Sequence, residues 1–176
     1  MGPSQQATIC RAGSLGSGRL RGMSIWRTQT SVEQLRHFSR DTLSDTIDIR
    51  VTEIGPDFLR ATMPVNPKVH QPMGVLHGGA SVALAETVGS VAAMLCVDRE
   101  KYVCLGQEIN ANHLRPVSSG IVTATARPFH IGKRSHVWHI EIRDEKDRLV
   151  CVSRLTVAVV DKPGAAGDEA GAAPKE

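Results

Sequence analysis

The sequence predicts an α+β domain in which an antiparallel sheet wraps around one long central helix, and three observations support this prediction. Residues 80–97 are small or apolar with few exceptions, strand-like alternation precedes them, and four strand-like segments follow them. Because the long segment has no polar side, a helix there should be buried all round. A sheet curled around the helix is the economical way to bury it.

A short helix and two strands are predicted ahead of the central helix. Ser31 and Gln34 form the pattern of a capping box. Apolar residues follow at helical spacing, namely Leu35, Phe38 and Leu43. Apolar and polar residues then alternate over residues 47–51 and again over residues 59–65, with a Gly-Pro turn signal between the two segments. Alternation of period two on both sides of a turn predicts a β-hairpin.

Four strands are predicted after the central helix, over residues 103–114, 120–130, 135–143 and 148–160. The last strand is β-branched almost throughout, and a charged turn at residues 144–147 precedes it. The chain contains no internal repeat, so these strands and the helix should form one sheet around one core.

The domain is predicted to occupy residues 23–160. Residues 1–22 are rich in Gly, Ser and Arg and lack periodicity, which predicts a disordered leader, native or left over from expression. Residues 161–176 have a similar aperiodic composition and predict a disordered tail. No second domain is expected.

Length, charge and composition restrict the function. With 176 residues, 41% of them hydrophobic, the chain suits one domain with a core. A net charge of +3 and a content of three Phe, two Trp and one Tyr argue against nucleic-acid binding. Four scattered cysteines without a Cys-x-x-Cys pair are typical of a cytoplasmic protein. An acid within an Ala-rich run argues against a membrane span, and no two histidines have metal-ligand spacing on a helix.

The candidate chemistry lies at the start and the middle of the central helix. Gly78 and Gly79 begin it, and their N–H groups could hold a carbonyl oxygen as negative charge develops on that oxygen. Glu86 is a carboxylate in an otherwise apolar segment, where burial is costly unless the acid has a partner or a task. It could attack a carbonyl carbon or activate a water molecule. The structural alternative is an acid capped by a neighbouring hydroxyl or backbone group.

The spacing of these groups predicts a site shared between two chains. Gly78 and Glu86 are eight positions apart, which corresponds to about 12 Å along one helix axis. One helix therefore cannot bring both groups to the same carbonyl. Two antiparallel helices in a two-fold dimer can, because each glutamate then faces the glycines of the other subunit.

Three neighbouring residues are further candidates, and each has a structural alternative. Ser90 lies one turn after Glu86 on the same face and could steady a carboxylate or a water, although helix-interior serines often bond their own backbone. Gln71 carries an amide that could orient a carbonyl or a water, or it is a loop residue. His77 is a polar group at the helix start, or merely its N-terminal cap.

These residues resemble the hotdog-fold acyl-CoA thioesterases. The resemblance covers about residues 23–160 and is closest to the branch of the 1,4-dihydroxy-2-naphthoyl-CoA, enterobactin-proofreading and phenylacetate-pathway thioesterases. The motifs that carry it are Gln71, His77-Gly78-Gly79, Glu86, residues 106–115 (GQEINANHLR) and residues 137–142 (VWHIEI).

The resemblance implies a hotdog fold, assembled as a homodimer and usually as a dimer of dimers, that needs neither a metal nor an organic cofactor. It implies hydrolysis of an acyl-CoA or aroyl-CoA thioester, with 1,4-dihydroxy-2-naphthoyl-CoA of menaquinone biosynthesis as one candidate substrate. Glu86 would be the nucleophile or the general base, and the Gly78 N–H would polarise the thioester carbonyl. Gln71, His77 and Ser90 would be assisting groups.

The resemblance also indicates where coenzyme A would bind. The basic turn before the fifth strand matches the position at which relatives hold the nucleotide, and its candidate ligands are Lys133, Arg134 and Ser135. The alternative is a solvated basic turn. Gly79, His113 and Arg115 are further candidates for contact with the substrate. Relatives often have histidine where this chain has Asn112, which leaves the choice between aryl and aliphatic acyl groups open.

Two other classes of function stay open from the residues alone. A hydratase or dehydratase on the same fold would use an Asp and a His near the start of the helix, and no Asp follows His77 there. A non-catalytic acyl-CoA-binding protein would not need Glu86. An acyl-CoA thioesterase explains both the glycines and the acid.

Overall fold

One six-stranded antiparallel sheet packs against a single long helix in the computed structural model, which describes residues 24–163. The elements, in chain order, are α1 (Val32–Phe38), α2 (Leu43–Thr46), β1 (Arg50–Ile54), β2 (Leu59–Val65), a 3-10 turn (Pro67–Val69), α3 (Gly78–Leu95), β3 (Tyr102–His113), β4 (Gly120–Ile131), β5 (Ser135–Arg143) and β6 (Leu149–Asp161). The strand order is β1-β2-β4-β5-β6-β3, and α3 contacts β2 through β6. The predicted α+β hotdog fold class is confirmed.

The inner face of the sheet forms the core together with α3. Burial alternates along β2 and β5, as the period-two pattern predicts. Trp138 and Ile140 of β5 are completely buried, as are Leu84 and Val88 of α3. A Cβ atom added to Gly89 would lie 2.7 Å from a methyl carbon of Leu155, so this glycine allows α3 to approach β6 closely.

The central helix is not buried all round in one chain, so that part of the prediction is wrong. Val82, Glu86 and Ser90, which share one face of α3 at intervals of four residues, are only half-buried. The reason is the topology, because β3 is an edge strand and residues 105–108 on it are exposed. Although the sequence of α3 is apolar on every side, a single chain therefore leaves one side of this helix incompletely covered.

Element boundaries differ from the prediction where aspartates adopt left-handed backbone conformations. Asp41 has φ of 59°, which separates α1 from α2, so Leu43 starts a second helix instead of continuing the first. Asp48 has φ of 58°, and β1 begins only at Arg50 rather than at residue 47. Aspartate tolerates this region better than most residues, which makes both breaks possible.

The predicted domain bounds, residues 23 and 160, stay a prediction, and β6 ends one residue after the second of them. Asp161, the first residue of the predicted tail, is the last residue of β6 and pairs with Tyr102 of β3. The predicted leader at residues 1–22 and the tail from residue 164 onward lie outside the described residues. The capping box at the start of α1 is confirmed, since the Ser31 hydroxyl accepts from the Gln34 N–H and the Gln34 amide oxygen accepts from the Ser31 N–H.

By length and composition alone, α3 could cross a bilayer. It has 18 residues with a mean hydropathy of 1.3. The core helix of a globular domain passes the same test, and here α3 packs its buried face on the inner side of the sheet. The helix is therefore weak support for a membrane span.

The segment before α1 contacts both the β1–β2 turn and the C-terminal end of α3. The Trp26 indole N–H donates to the Gly55 carbonyl at 2.6 Å, and its ring stacks on buried Trp138 with centroids 6.4 Å apart. The main-chain N–H of Arg27 donates to the Leu95 carbonyl at 2.8 Å. Residues 25–27 thus tie the β1–β2 turn to the end of α3.

We expect Trp26→Ala to lower the free energy of unfolding by about 2 kcal/mol, less than for a fully buried tryptophan because the side chain is only half-buried. Trp26→Phe keeps an aromatic ring over Trp138 but removes the hydrogen bond to Gly55, so it should cost about 1 kcal/mol. Urea unfolding of both variants measures these losses. Parent-like stability of Trp26→Ala would show that this segment does not belong to the domain.

Candidate active site

In the described part of the chain, the first turn of α3 leaves one backbone N–H group without an acceptor. His77 is the N-cap, and its Nδ1 accepts from the Gly79 N–H at 2.8 Å. The His77 carbonyl accepts from the N–H groups of Ala80 and Ser81 at 3.0 and 3.1 Å. Among the described residues, nothing accepts a hydrogen bond from the Gly78 N–H. The Gly78 N–H group is therefore free to donate to an external oxygen atom, whereas the Gly79 N–H group is already bonded to His77.

The capping role of His77 also fixes which nitrogen carries its proton. A nitrogen that accepts a hydrogen bond is unprotonated, so neutral His77 carries its hydrogen on Nε2. The structural alternative for His77, an N-terminal cap, is what the structure shows. This cap leaves the imidazole with one N–H group, on Nε2, at the start of α3.

His113, at the end of β3, lies directly against Gly78 of the same chain. A Cβ atom added to Gly78 would come within 2.7 Å of the His113 Nε2 atom. The register places His113 opposite Cys151 of β6, which turns its side chain towards the inner side of the sheet. The sequence assigned this histidine to substrate contact without linking it to Gly78. The link follows from the pairing of β3 with β6.

Glu86 lies away from Gly78, beside the edge strand. Both residues belong to one uninterrupted helix, so the separation of about 12 Å along the axis applies. The Glu86 carboxylate is half-buried, and its Oε1 occupies the space in which a side chain at Gly106 would begin. Ser90 follows one turn later on the same half-open face. The structure thus brings Glu86 and Ser90 together but separates both from Gly78.

Gln71 caps its own turn. Its side-chain oxygen accepts from the Met73 N–H at 2.6 Å, and its main chain bonds Val75 and Gly74 at 2.9 Å each. An Asx-like turn of this kind fixes the loop that leads to His77. The amide nitrogen stays available, so the role of Gln71 near a carbonyl or a water is compatible with its structural role.

The basic turn before β5 lies at the opposite end of α3 from Gly78. Two adjoining clefts of about 730 and 450 Å³ open there, and both are lined by Arg27, Val97 and Asp98. Lys133 and Arg134 line the smaller cleft, while Ser135 begins β5 and closes the turn by accepting from the Gly132 N–H at 2.9 Å. Arg115, the other predicted contact, is exposed just after β3 and does not line either cleft.

The smaller cleft carries positive charge. Arg134 pairs with Asp161 at 3.0 Å, and Asp98 pairs with Lys101 at 3.6 Å. Within residues 24–163, Lys133 and Arg27 have no ion pair. Sequence reasoning missed Arg27, because it is far from Lys133 in the chain and no motif marks it. Its place in the cleft depends on the contact between residue 27 and the end of α3.

Neutral groups form the inner wall of the same cleft. His136 is buried, its Nδ1 has no partner in the described part of the chain, and burial holds its pKa below the ordinary value. Burial also raises the pKa of the Cys96 thiol to about 12. Both groups are therefore uncharged at neutral pH, and the charge of the cleft comes from its basic residues. Among residues 24–163, no group of three or more His, Cys, Asp or Glu could hold a metal ion.

Comparison with known proteins gives a consistent result. A family model described as the thioesterase superfamily matches residues 73–151. The 1,4-dihydroxy-2-naphthoyl-CoA hydrolase of Escherichia coli is 49% identical over 77% of this chain and 99% of its own length. The proofreading thioesterase EntH of Cronobacter turicensis is 46% identical over 77% of this chain and 98% of its own.

Solved structures agree with these relatives. A mutant thioesterase of Pseudomonas aeruginosa superposes with a TM-score of 0.78 at 46% identity, covering 79% of this chain and 100% of that one. A thioesterase of Haemophilus influenzae superposes with a TM-score of 0.76 at 46% identity, covering 78% and 95%. Both alignments span most of the described residues.

Proposed function

Since this chain belongs to the thioesterase superfamily and is an acyl-CoA thioesterase, we propose that two subunits together form each of its active sites. One subunit supplies the Gly78 N–H, and its partner supplies Glu86. The observation that carries the proposal is the pair of facts about α3: a free donor at Gly78 and a half-open carboxylate about 12 Å further along the same helix. The predicted homodimer, and a dimer of dimers beyond it, are part of the proposal.

The open face of α3 suits this arrangement. Gly78, Val82, Glu86 and Ser90 follow one another at intervals of four residues on one side of the helix. If two copies of α3 run antiparallel with Val82 on the two-fold axis, Gly78 of each copy faces Glu86 of the other. Val82 is half-buried and is not packed against the core cluster, so it is free to meet its own copy.

The chemistry requires only these groups and water. The Gly78 N–H, at the positive end of the helix dipole, binds the thioester oxygen as a tetrahedral intermediate forms. Glu86 either takes a proton from the attacking water or attacks the carbonyl carbon itself to form an anhydride that water then opens. In the first route, the C–S bond then breaks as Glu86 returns the proton to the sulfur of coenzyme A, and the free acid leaves. In the second route, the C–S bond breaks as the anhydride forms, and the coenzyme A thiolate takes its proton from the water that opens the anhydride to give the free acid. His77 and Ser90 would assist as hydrogen-bond donors, and Gln71 would orient the carbonyl or the water.

The basic cleft fits the nucleotide end of coenzyme A. It begins at Cys96, about 15 Å along the helix from Glu86, a distance that the extended pantetheine arm can bridge. Arg27, Lys133 and Arg134 would bind phosphate oxygens, since guanidinium and ammonium groups form strong charge-assisted hydrogen bonds with them. Ser135 would contact the same end of the substrate, and His113, Gly79 and Arg115 would lie nearer the acyl group.

The name of one relative supports an aromatic acyl group. This relative is a 1,4-dihydroxy-2-naphthoyl-CoA hydrolase, and we propose an aroyl-CoA of this kind, with a place in menaquinone biosynthesis, as the substrate. A cytoplasmic location fits such a reaction. Release of free thiol from benzoyl-CoA and from hexanoyl-CoA tests the proposal. Faster turnover of hexanoyl-CoA at saturation and at low concentration would contradict an aromatic preference.

We expect Lys133→Gln and Arg27→Gln each to raise KM for a CoA thioester about tenfold, because a hydrogen bond to a charged group contributes about 1.5 kcal/mol. Turnover at saturation should stay the same. Neither variant should affect a pantetheine thioester, which lacks the nucleotide. Lys146→Gln, in the exposed β5–β6 turn, is the control for the loss of one positive charge. Equal changes in KM for both substrates would rule out a nucleotide contact.

A further inference from the structure

Gly106 of β3 leaves the space that the Glu86 carboxylate occupies. A Cβ atom placed on Gly106 would lie 2.6 Å from Oε1 of Glu86 and 3.9 Å from the nearest carbon of Leu155. The first distance is shorter than real Cβ atoms tolerate, whereas the second is ordinary contact. The carboxylate can therefore stay in place only while residue 106 has no side chain.

Space, and not backbone conformation, explains the glycine at this position. The glycines with positive φ among the described residues are Gly74 and Gly120, so an alanine at position 106 can adopt the existing backbone. Gly106 pairs with Val157 of β6, and the register shifts between Gly106 and Glu108. Such bulges occur beside active sites, where they redirect side chains.

The contact can yield at low cost to the fold. The atom that a methyl group at position 106 would meet is the end of a long, half-buried side chain, not backbone. The carboxylate would rotate away, and α3 and β3 would keep their places. A substitution here should therefore change the position of Glu86 much more than it changes the stability of the domain.

We propose that Gly106 is a positioning residue for the reaction. Because it has no side chain, it allows the Glu86 carboxylate to occupy its place beside the edge strand. This inference rests on the proposed function, in which Glu86 acts on the thioester carbonyl or on water. A methyl group at position 106 must displace the carboxylate by roughly 1 Å, and a displacement of that size can cost about 10²-fold in rate.

The first experiment compares Gly106→Ala with the parent on benzoyl-CoA. We expect kcat to fall by about 10-fold to 10²-fold, with KM changed by less than about twofold, because the nucleotide cleft is remote. The melting temperature should be unchanged or higher, because alanine loses less backbone entropy on folding than glycine. Gln107→Ala, exposed at the next position of β3, should leave kcat, KM and melting temperature unchanged.

The second experiment tests whether Gly106 acts through Glu86. In a Glu86→Gln background, Gly106→Ala should cause no further loss, since no charged group remains to be misplaced. Three results would each overturn the positioning role. The first is a double variant whose loss of kcat is the product of the two single losses, and the second is a parent-like kcat of Gly106→Ala. The third is a fall in melting temperature or dimer content that accompanies the loss of kcat. Parent-like activity of Glu86→Gln itself would instead refute the proposed function, whatever Gly106→Ala does.

Discussion

Replacing Glu86 by Gln is expected to lower kcat by at least about 10²-fold, which is the lower end of the range for the loss of a general base. Glutamine keeps the size of the side chain beside Gly106 but removes the negative charge, so the reaction loses its base or nucleophile while the packing stays the same. The Gly78 donor remains and should support a small residual rate. Free-thiol release from benzoyl-CoA measures kcat, and thermal unfolding should match the parent.

A matched control exists on the neighbouring strand. Glu108 of β3 is exposed, and its carboxylate accepts from the Asn110 amide at 2.9 Å. Glu108→Gln removes the same charge from the same region without touching the proposed site, so its kcat should equal that of the parent. Substrate binding to Glu86→Gln should survive, because the nucleotide is proposed to bind at the C-terminal end of α3, about 15 Å from Glu86. A Glu86→Gln enzyme with more than about a tenth of parental kcat would exclude Glu86 from the chemistry.

Mixing two inactive variants is expected to restore activity if the site is shared. Gly78→Val places a side chain where the His113 imidazole lies, so it should block the donor that holds the carbonyl oxygen. Glu86→Gln lacks the carboxylate. In a mixed dimer, one site carries both defects and the other carries neither. Random exchange gives about one half mixed dimers, and therefore about one quarter of the sites regain parental activity.

The controls for this experiment are each variant exchanged with itself under the same conditions. Differently tagged subunits show that exchange has taken place, and sedimentation shows that both variants assemble like the parent. The expected recovery is large against two inactive backgrounds, so it is easily measured. If activity stays at background after verified exchange, Gly78 and Glu86 act within one chain, and the geometry inferred from their spacing is wrong.

Local sequence patterns were sufficient to predict much of the fold. Alternation of period two placed β2 and β5 at their observed positions, because one face of each strand packs on a core while the other is more exposed. The capping box at Ser31 marked the start of α1, since a cap satisfies backbone donors within a few residues of sequence. The eight-residue interval between Gly78 and Glu86 predicted their separation, because both lie on one regular helix.

Boundaries and burial were harder to predict where distant parts of the chain decide them. Leu43 has helical spacing from Leu35, yet the left-handed conformation of Asp41 interrupts the helix, and no residue-level pattern required that break. The apolar segment at residues 80–97 predicted burial on every side. The topology left one side of α3 half-open, because within residues 24–163 β3 pairs only with β6 and ends the sheet.

The sequence by itself determined the fold class, the helix that carries Gly78 and Glu86, and the family motif. Only the tertiary structure placed His113 against Gly78, Gly106 against Glu86, and Arg27 beside Lys133. The physical reason is that each of these contacts joins residues on different elements. The first two contacts depend on the register between β3 and β6 and on the packing of α3 against the sheet, and the third depends on the hydrogen bond of residue 27 to the end of α3. None of these is encoded in a local spacing of residues.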